Sequence, residues 1–216
     1  MYFGIDLTST EDKPSACVCL DDRLEVIYCG LLNADGDIVA AVGLSSSQVV
    51  AIDAPLSLPL GLCCLEDGCD CQQATGWKGR WCEQELARRA APCYFTTKKS
   101  IIKRMVYRGI RLKDRLSKQE CEVLEVYPYA SKLRLWGKPV ASKTRPQGLD
   151  WLRKGLGILL VAVAPYVQRW SHDLCDAAVA AYTAYLYAHN GTEAVGIAEE
   201  GVIHIPKGNC GRKVGG

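Results

Sequence analysis

Short apolar runs alternate with polar breaks along the chain, and their lengths and periods separate strands from helices. Residues 2–7 form an apolar run that stops at a polar turn over 8–15 containing Pro14. Residues 16–20 and 24–32 are β-rich runs on either side of Asp21-Asp22-Arg23, a tight polar connection that predicts a hairpin. Over 35–44, Ile38, Val39, Ala41 and Val42 recur at helical spacing. Residues 49–54, closed by Pro55, suit a strand buried on both faces. The stretch 63–79, rich in Cys, Gly and Asp, reads as loop, and 80–90 as a helix that ends before Pro92. Thr97 is expected to cap a further helix whose apolar stripe is Ile101, Ile102, Met105 and Val106. Residues 121–127 predict a fifth strand stopped by Pro128, and 149–163 a helix broken at Pro165. Ser171 caps a last long helix over 172–189, which ends at Asn190-Gly191. Two strand-like runs, 194–198 and 202–205, precede a polar, glycine-rich tail over 207–216 that is expected to be flexible.

Strands interleaved with helices predict an α/β fold with a mixed sheet, a three-strand meander beside parallel strands reached by a crossover. No internal repeat or low-complexity linker divides the chain. It reads as a single domain over 1–206, with a Cys-rich and basic helical insertion at about 61–118.

Composition adds exclusions. With 216 residues, 49% of them apolar and 23% charged, the chain can build a core and is neither disordered nor fibrous. No apolar stretch reaches the roughly 18–20 residues of a membrane helix, and no secretory signal pattern opens the sequence. A cytoplasmic protein with no membrane partner is the expectation, and reduced thiols or metal ligands are the expected state of the twelve cysteines.

Charge is strongly segregated. Residues 1–70 carry two basic and twelve acidic side chains, whereas residues 71–216 carry twenty-four basic and twelve acidic. The stretch 98–118 alone holds nine basic side chains against Asp114. Such a concentration attracts a polyanion, although a solvated helix face balancing the acidic half explains it equally simply.

Several acids interrupt otherwise apolar elements. Asp6 ends the first strand, Asp53 ends the fourth, and Glu125 lies inside the fifth. Asp173 and Asp176 open the last helix at a spacing that puts both on one face. A lone buried carboxylate is costly, so such groups are normally paired, hydrogen-bonded or bound to metal. If the first, fourth and fifth strands are parallel neighbours, their carboxyl ends open where α/β sheets place ligands. Acids meeting there call for a cation, and hard oxygen donors point to Mg²⁺ or Mn²⁺. Each acid also has a plainer role, in turn capping at Asp6 and Asp53 or in complementing a helix N-terminus at Asp173 and Asp176.

Five ordered motifs, Gly4-Ile5-Asp6, Ala51-Ile52-Asp53-Ala54-Pro55-Leu56, Arg80 with Cys82-Glu83, Glu125-Val126-Tyr127-Pro128 and His172-Asp173 with Asp176-Ala177, together resemble the family called domain of unknown function 429. The resemblance spans roughly residues 3–206. It implies a ribonuclease H-like fold with a five-stranded mixed sheet flanked by helices, and a predicted nuclease activity on nucleic acid. The closing His-Asp-x-x-Asp-Ala stretch is similar to that of Holliday-junction resolvases. In that reading Asp6, Asp53, Glu125, Asp173 and Asp176 are the catalytic and metal-binding candidates. Asp6 bridges two Mg²⁺ or Mn²⁺ ions about 3.5–4 Å apart. Arg80, Lys98, Lys99, Lys103 and Arg104 are the candidates for holding the nucleic-acid backbone, and Glu83 either orients Arg80 or pairs with it on the helix surface.

Cys63, Cys64, Cys69 and Cys71 are candidate ligands for a structural zinc or iron–sulfur site, although their spacing lacks two Cys-x2-Cys pairs. Cys17, Cys19, Cys29, Cys121 and Cys175 sit in apolar runs and read as small core residues. Two other function classes remain open. One is a non-catalytic nucleic-acid or protein-binding module that keeps the same fold. The other is a nucleotide-dependent phosphotransferase, disfavoured because Leu7-Thr8-Ser9-Thr10 lacks the turn glycine of that group.

Overall fold

The computed structural model describes residues 1–137 and 146–208. Among the described residues, seven strands make one sheet: β1 (Tyr2–Asp6), β2 (Ser15–Leu20), β3 (Val26–Leu32), β4 (Val49–Asp53), β5 (Glu122–Val126), β6 (Thr192–Ile197) and β7 (Gly201–Pro206). Their order across the sheet is β3-β2-β1-β4-β5-β7-β6. Strands β1, β4, β5 and β7 are mutually parallel, whereas β2, β3 and β6 pair antiparallel with their neighbours. The first five strands reproduce the expected meander and parallel pair, and this arrangement is a ribonuclease H-like fold. The two strand-like runs near the C-terminus form a hairpin, β6–β7, that extends the far edge, so the sheet has seven strands rather than five.

Among the described residues, the α-helices that cover the sheet are α1 (Asp35–Leu44), α2 (Trp81–Arg88), α3 (Lys103–Leu116), α4 (Pro128–Trp136), α5 (Pro146–Leu159) and α6 (His172–Ala188). Period-2 alternation divides the strands between two cores. Phe3, Ile5, Val50 and Ile52 meet Ile38 and Val42 of α1 and Leu112 and Leu116 of α3. Tyr2, Val49, Ala51, Leu124 and Val126 meet Ala180 and Ala184 of α6 on the opposite face. A backbone running through the middle of a sheet and buried on both sides explains why β1 and β4 read as nearly continuous apolar runs.

Helix α6 lies unusually close to the sheet because both surfaces are shaved down. It presents alanines at 177, 178, 180, 181 and 184, all fully buried. Opposite them is Gly4, where a Cβ would stand 2.1 Å from the Ala177 carbonyl oxygen and 2.2 Å from the Ala181 amide. Ser171 caps the helix as expected, its hydroxyl accepting from the Leu174 amide at 3.2 Å.

Three local readings change. Thr97 does not cap the basic helix, because residues 97–100 close their own turn (Ser100 amide to Thr97 carbonyl, 2.9 Å) and α3 begins at Lys103. The buried side of α3 is Val106, Gly109, Leu112 and Leu116, which leaves Ile101 ahead of the helix and exposed. Pro128 stops β5 but also opens α4, since a proline at the first helical position has no amide to satisfy. The region expected as an insertion lies between β4 and β5, and its helices feed Leu86, Leu112 and Leu116 into the cores. Beyond Gly208 the glycine-rich tail lies outside the described residues.

Candidate functional site

Strands β1 and β4 pair in register, with Asp6 opposite Asp53, so two carboxylates leave at the same level from strands about 4.8 Å apart. Alternation puts Asp6 on the face of Tyr2 and Gly4, and Asp53 on the face of Val49 and Ala51. That face is the one covered by α6. Tyr2 meets Tyr185 edge-on at 5.2 Å between ring centroids, while Gly4 backs onto Ala177 and Ala181. The helix therefore runs antiparallel to β1, and its first turn arrives at the strand ends that carry Asp6 and Asp53. Asp6, Asp53 and Glu125 line a cavity of about 250 Å³ with Pro55, Met105 and Tyr127.

Of the two helix acids, Asp173 is exposed in the first turn and Asp176 is buried. Asp176 is held at both oxygens. Lys132 of α4 donates its Nζ to Oδ1 at 2.8 Å, and His172 Nδ1 lies 3.2 Å from Oδ2. The Tyr127 hydroxyl donates to the Pro92 carbonyl at 2.9 Å. Burial pushes its phenol well above the ordinary range, and the charges of Asp53 and Asp176 add to the rise.

Glu125 belongs to the other face. It stands in register with Ile52 and shares the side of Val123, so strand alternation alone separates it from Asp6 and Asp53. Its carboxylate is fully engaged. Arg80 donates Nη2 to Oε1 at 2.6 Å and Nη1 to Oε2 at 2.7 Å, and the Leu56 amide donates to Oε2 at 2.8 Å. Arg80 is 1% exposed, and it also donates Nε to Glu83 at 3.0 Å and Nη1 to the Ser57 hydroxyl at 2.9 Å. Burial works against its charge, but the Glu125 carboxylate more than offsets this and holds the guanidinium above the usual arginine range. Glu83 completes the network by accepting from the amide and hydroxyl of Thr96 at 2.8 and 2.6 Å. The geometry thus gives Arg80 and Glu125 a joint task, fixing the corner after β4, in place of the phosphate grip and metal ligation expected from sequence. Glu83 does orient Arg80, inside the protein rather than on the helix surface.

The basic helix is also divided by burial. Arg108, 1% exposed, donates to Asp35 at 2.8 Å, to the carbonyls of Thr8, Thr10 and Asn33, and to the Thr8 hydroxyl. It stitches the loop that follows Asp6 to the start of α1. Gly109, where a Cβ would come 2.7 Å from the Pro55 carbonyl oxygen, lets α3 press against the corner that follows Asp53. Lys98 donates to the Cys69 carbonyl and Lys103 pairs with Asp67 at 3.6 Å, whereas Lys99 and Arg104 are exposed. The candidate cysteines do converge, with the sulfurs of Cys63, Cys64, Cys69 and Cys71 all within 4.8 Å of one another.

Two carboxylates in register at the mouth of a cavity form a hard-oxygen donor pair, which suits Mg²⁺ or Mn²⁺. Lys132 was not singled out by sequence reasoning. The missing signal was α4 itself, which sets Lys132 facing α6 and which Pro128 disguises as a strand ending.

A family model described as "Protein of unknown function (DUF429)" matches residues 4–200. The chain belongs to this family. A search of curated proteins finds no match. Among solved structures, the chain is similar to one titled "Thermus thermophilus RuvC structure", with 12% identity and a TM-score of 0.46, covering 87% of this chain and 95% of that one. Among the described residues of this DUF429 protein, no helix is long and apolar enough to cross a membrane.

Proposed function

We propose that this DUF429 protein is a divalent-metal-dependent nuclease that hydrolyses phosphodiester bonds of nucleic acid. The observation that carries the reading is the register pairing of Asp6 with Asp53 on the face where α6 delivers its first turn. Asp6 and Asp53 would hold the metal, with Asp173 as the third carboxylate. A bound Mg²⁺ or Mn²⁺ supplies an activated water and stabilises the leaving oxygen.

The chain's own residues do the positioning. Lys132 and His172 fix Asp176 and so the first turn of α6, which orients Asp173. The Arg80–Glu125 pair holds the corner at Leu56 beside the metal-facing strand end. Arg108 holds the loop beyond Asp6. Exposed Lys99 and Arg104 are the cations left to meet phosphates from solvent.

A second reading, a binding module that keeps the fold without catalysis, is favoured by one observation. Glu125 and Asp176 each spend a carboxylate on a buried cation. The experiment is cleavage of DNA and RNA in single-stranded, duplex and branched form, with Mn²⁺ or Mg²⁺, by the wild type and by Asp6→Asn. Metal-dependent cleavage lost in the variant supports the nuclease. Equal binding by both proteins with no cleavage by either supports the module.

A further inference from the structure

Between β4 and α2, residues 54–80 contain no helix or strand. Irregular segments longer than about 12–15 residues inside a compact domain are uncommon and need a reason to hold one shape. Backbone hydrogen bonds tie this one down at few points: Leu62 to Pro59, Cys69 to Glu66 and Ala74 to Leu60. Leu65 is its fully buried apolar anchor beyond Leu56. Yet the segment converges four thiols on one point.

We propose that Cys63, Cys64, Cys69 and Cys71 form a mononuclear tetrathiolate zinc site that staples the 61–79 loop onto the start of α3. A zinc ion with four bonds of about 2.3 Å at tetrahedral angles sets its sulfurs about 3.8 Å apart. The four sulfurs lie within 4.8 Å of one another, with Cys63 and Cys69 at 3.6 Å, so a small contraction closes the shell. In an iron–sulfur cluster the four cysteines are shared among two or four irons around a sulfide core, so they cannot all stand as close together as on one ion. Two disulfides would need two pairs, whereas these thiols share one centre. Metal uptake releases the thiol protons to solvent and leaves a dianionic centre. Two lysines reach the same loop: Lys98 donates to the Cys69 carbonyl, and Lys103 pairs with Asp67 between the cysteine pairs.

The loop is docked on α3 at the same place. Tyr107 accepts from the Leu65 amide at 2.6 Å and donates to Glu66 at 3.0 Å. Zinc here therefore orders the approach to Lys99 and Arg104 without touching the carboxylate edge, and the site stands independently of the nuclease reading.

The test is metal analysis of the purified wild type, with Cys69→Ser/Cys71→Ser and Asp6→Asn alongside. The expected result is about one zinc per chain in the wild type and in Asp6→Asn, and a loss of at least about tenfold in the double cysteine variant. Because that variant can fail to fold, the wild type is also exchanged into Co²⁺, where thiolate-to-cobalt charge transfer and tetrahedral ligand-field bands are expected. Iron with acid-labile sulfide, a disulfide among the four, wild type without metal, or zinc lost in Asp6→Asn would each overturn the assignment.

Discussion

Lys132 of α4 reaches across to Asp176 of α6 at 2.8 Å, and both groups are buried. The pair fixes the helix turn that carries Asp173 toward the strand ends of β1 and β4. It also uses up a carboxylate that the sequence offers as a metal ligand. The catalytic reading of this edge is therefore tested at Asp6, Asp53 and Asp173.

Asp6→Asn and Asp53→Asn should each abolish the thermal stabilisation that Mn²⁺ gives the wild type, read by differential scanning fluorimetry across a metal titration. Any cleavage should fall by about 100-fold or more, since a metal ligand supplies several kcal/mol of transition-state stabilisation. Retention of the metal-induced shift in both variants would move the cation site elsewhere.

Glu125→Gln should destabilise the fold by about 3–5 kcal/mol, the cost of leaving a buried Arg80 charge without its partner. Urea denaturation measures it. A loss below about 1 kcal/mol would mean that Glu83 alone satisfies the guanidinium.

Gly4→Ala should cost about 3 kcal/mol or more, because the added methyl meets α6 backbone rather than a side chain that can rotate away. Its signature is a lower melting temperature with the β6–β7 edge still protected from hydrogen exchange.

His204, on β7, packs edge-on to Tyr187 at 4.8 Å, and its Nδ1 is buried without a hydrogen-bond partner. Burial lowers its pKa below the ordinary 6.5, with Glu122 opposing the shift. The folded state therefore binds this proton less readily than the unfolded chain, and stability rises with pH. The contribution is full above the unfolded value and is lost as pH falls below about 6.5 toward the folded one. His204→Phe should flatten this part of the stability–pH curve; an unchanged slope would refute the argument.

Lys99→Ala/Arg104→Ala should reduce the slope of log affinity against log salt by about 0.9 for each lost contact to duplex phosphate. Arg108→Met, although it removes the same charge, should lower stability and leave the slope of any remaining binding as in wild type. Equal slopes in all three proteins would show that Lys99 and Arg104 do not face nucleic acid.

The periodicity of the chain makes much of this fold legible. The bounds of α1, the hairpin of β2 and β3, and the Ser171 cap follow from local patterning, because each is decided within a few residues. The resemblance leads to Asp6 with an acid from a central strand, Asp53 or Glu125, and the register of β1 against β4 sets Asp53 opposite Asp6. What patterning could not reach was pairing over long separations. Glu125 and Arg80 find each other across 45 residues, and Lys132 and Asp176 across 44. Each pair turns two residues that read as site chemistry, or as nothing, into a structural tie. The cysteines show the reverse case, since an unfamiliar spacing conceals thiols that converge in space.

The seating of α6 on β1 also bears on how the protein is made. The strand is synthesised well before the helix, for the alanine face that covers Tyr2, Val49, Ala51 and Leu124 follows Tyr2 by about 170 residues. Until then a nascent chain exposes the greasy middle of its sheet, the condition in which partly finished domains stick to one another. A fragment ending at Trp170 should for that reason be insoluble without a chaperone, and adding the seventeen residues of α6 should release it.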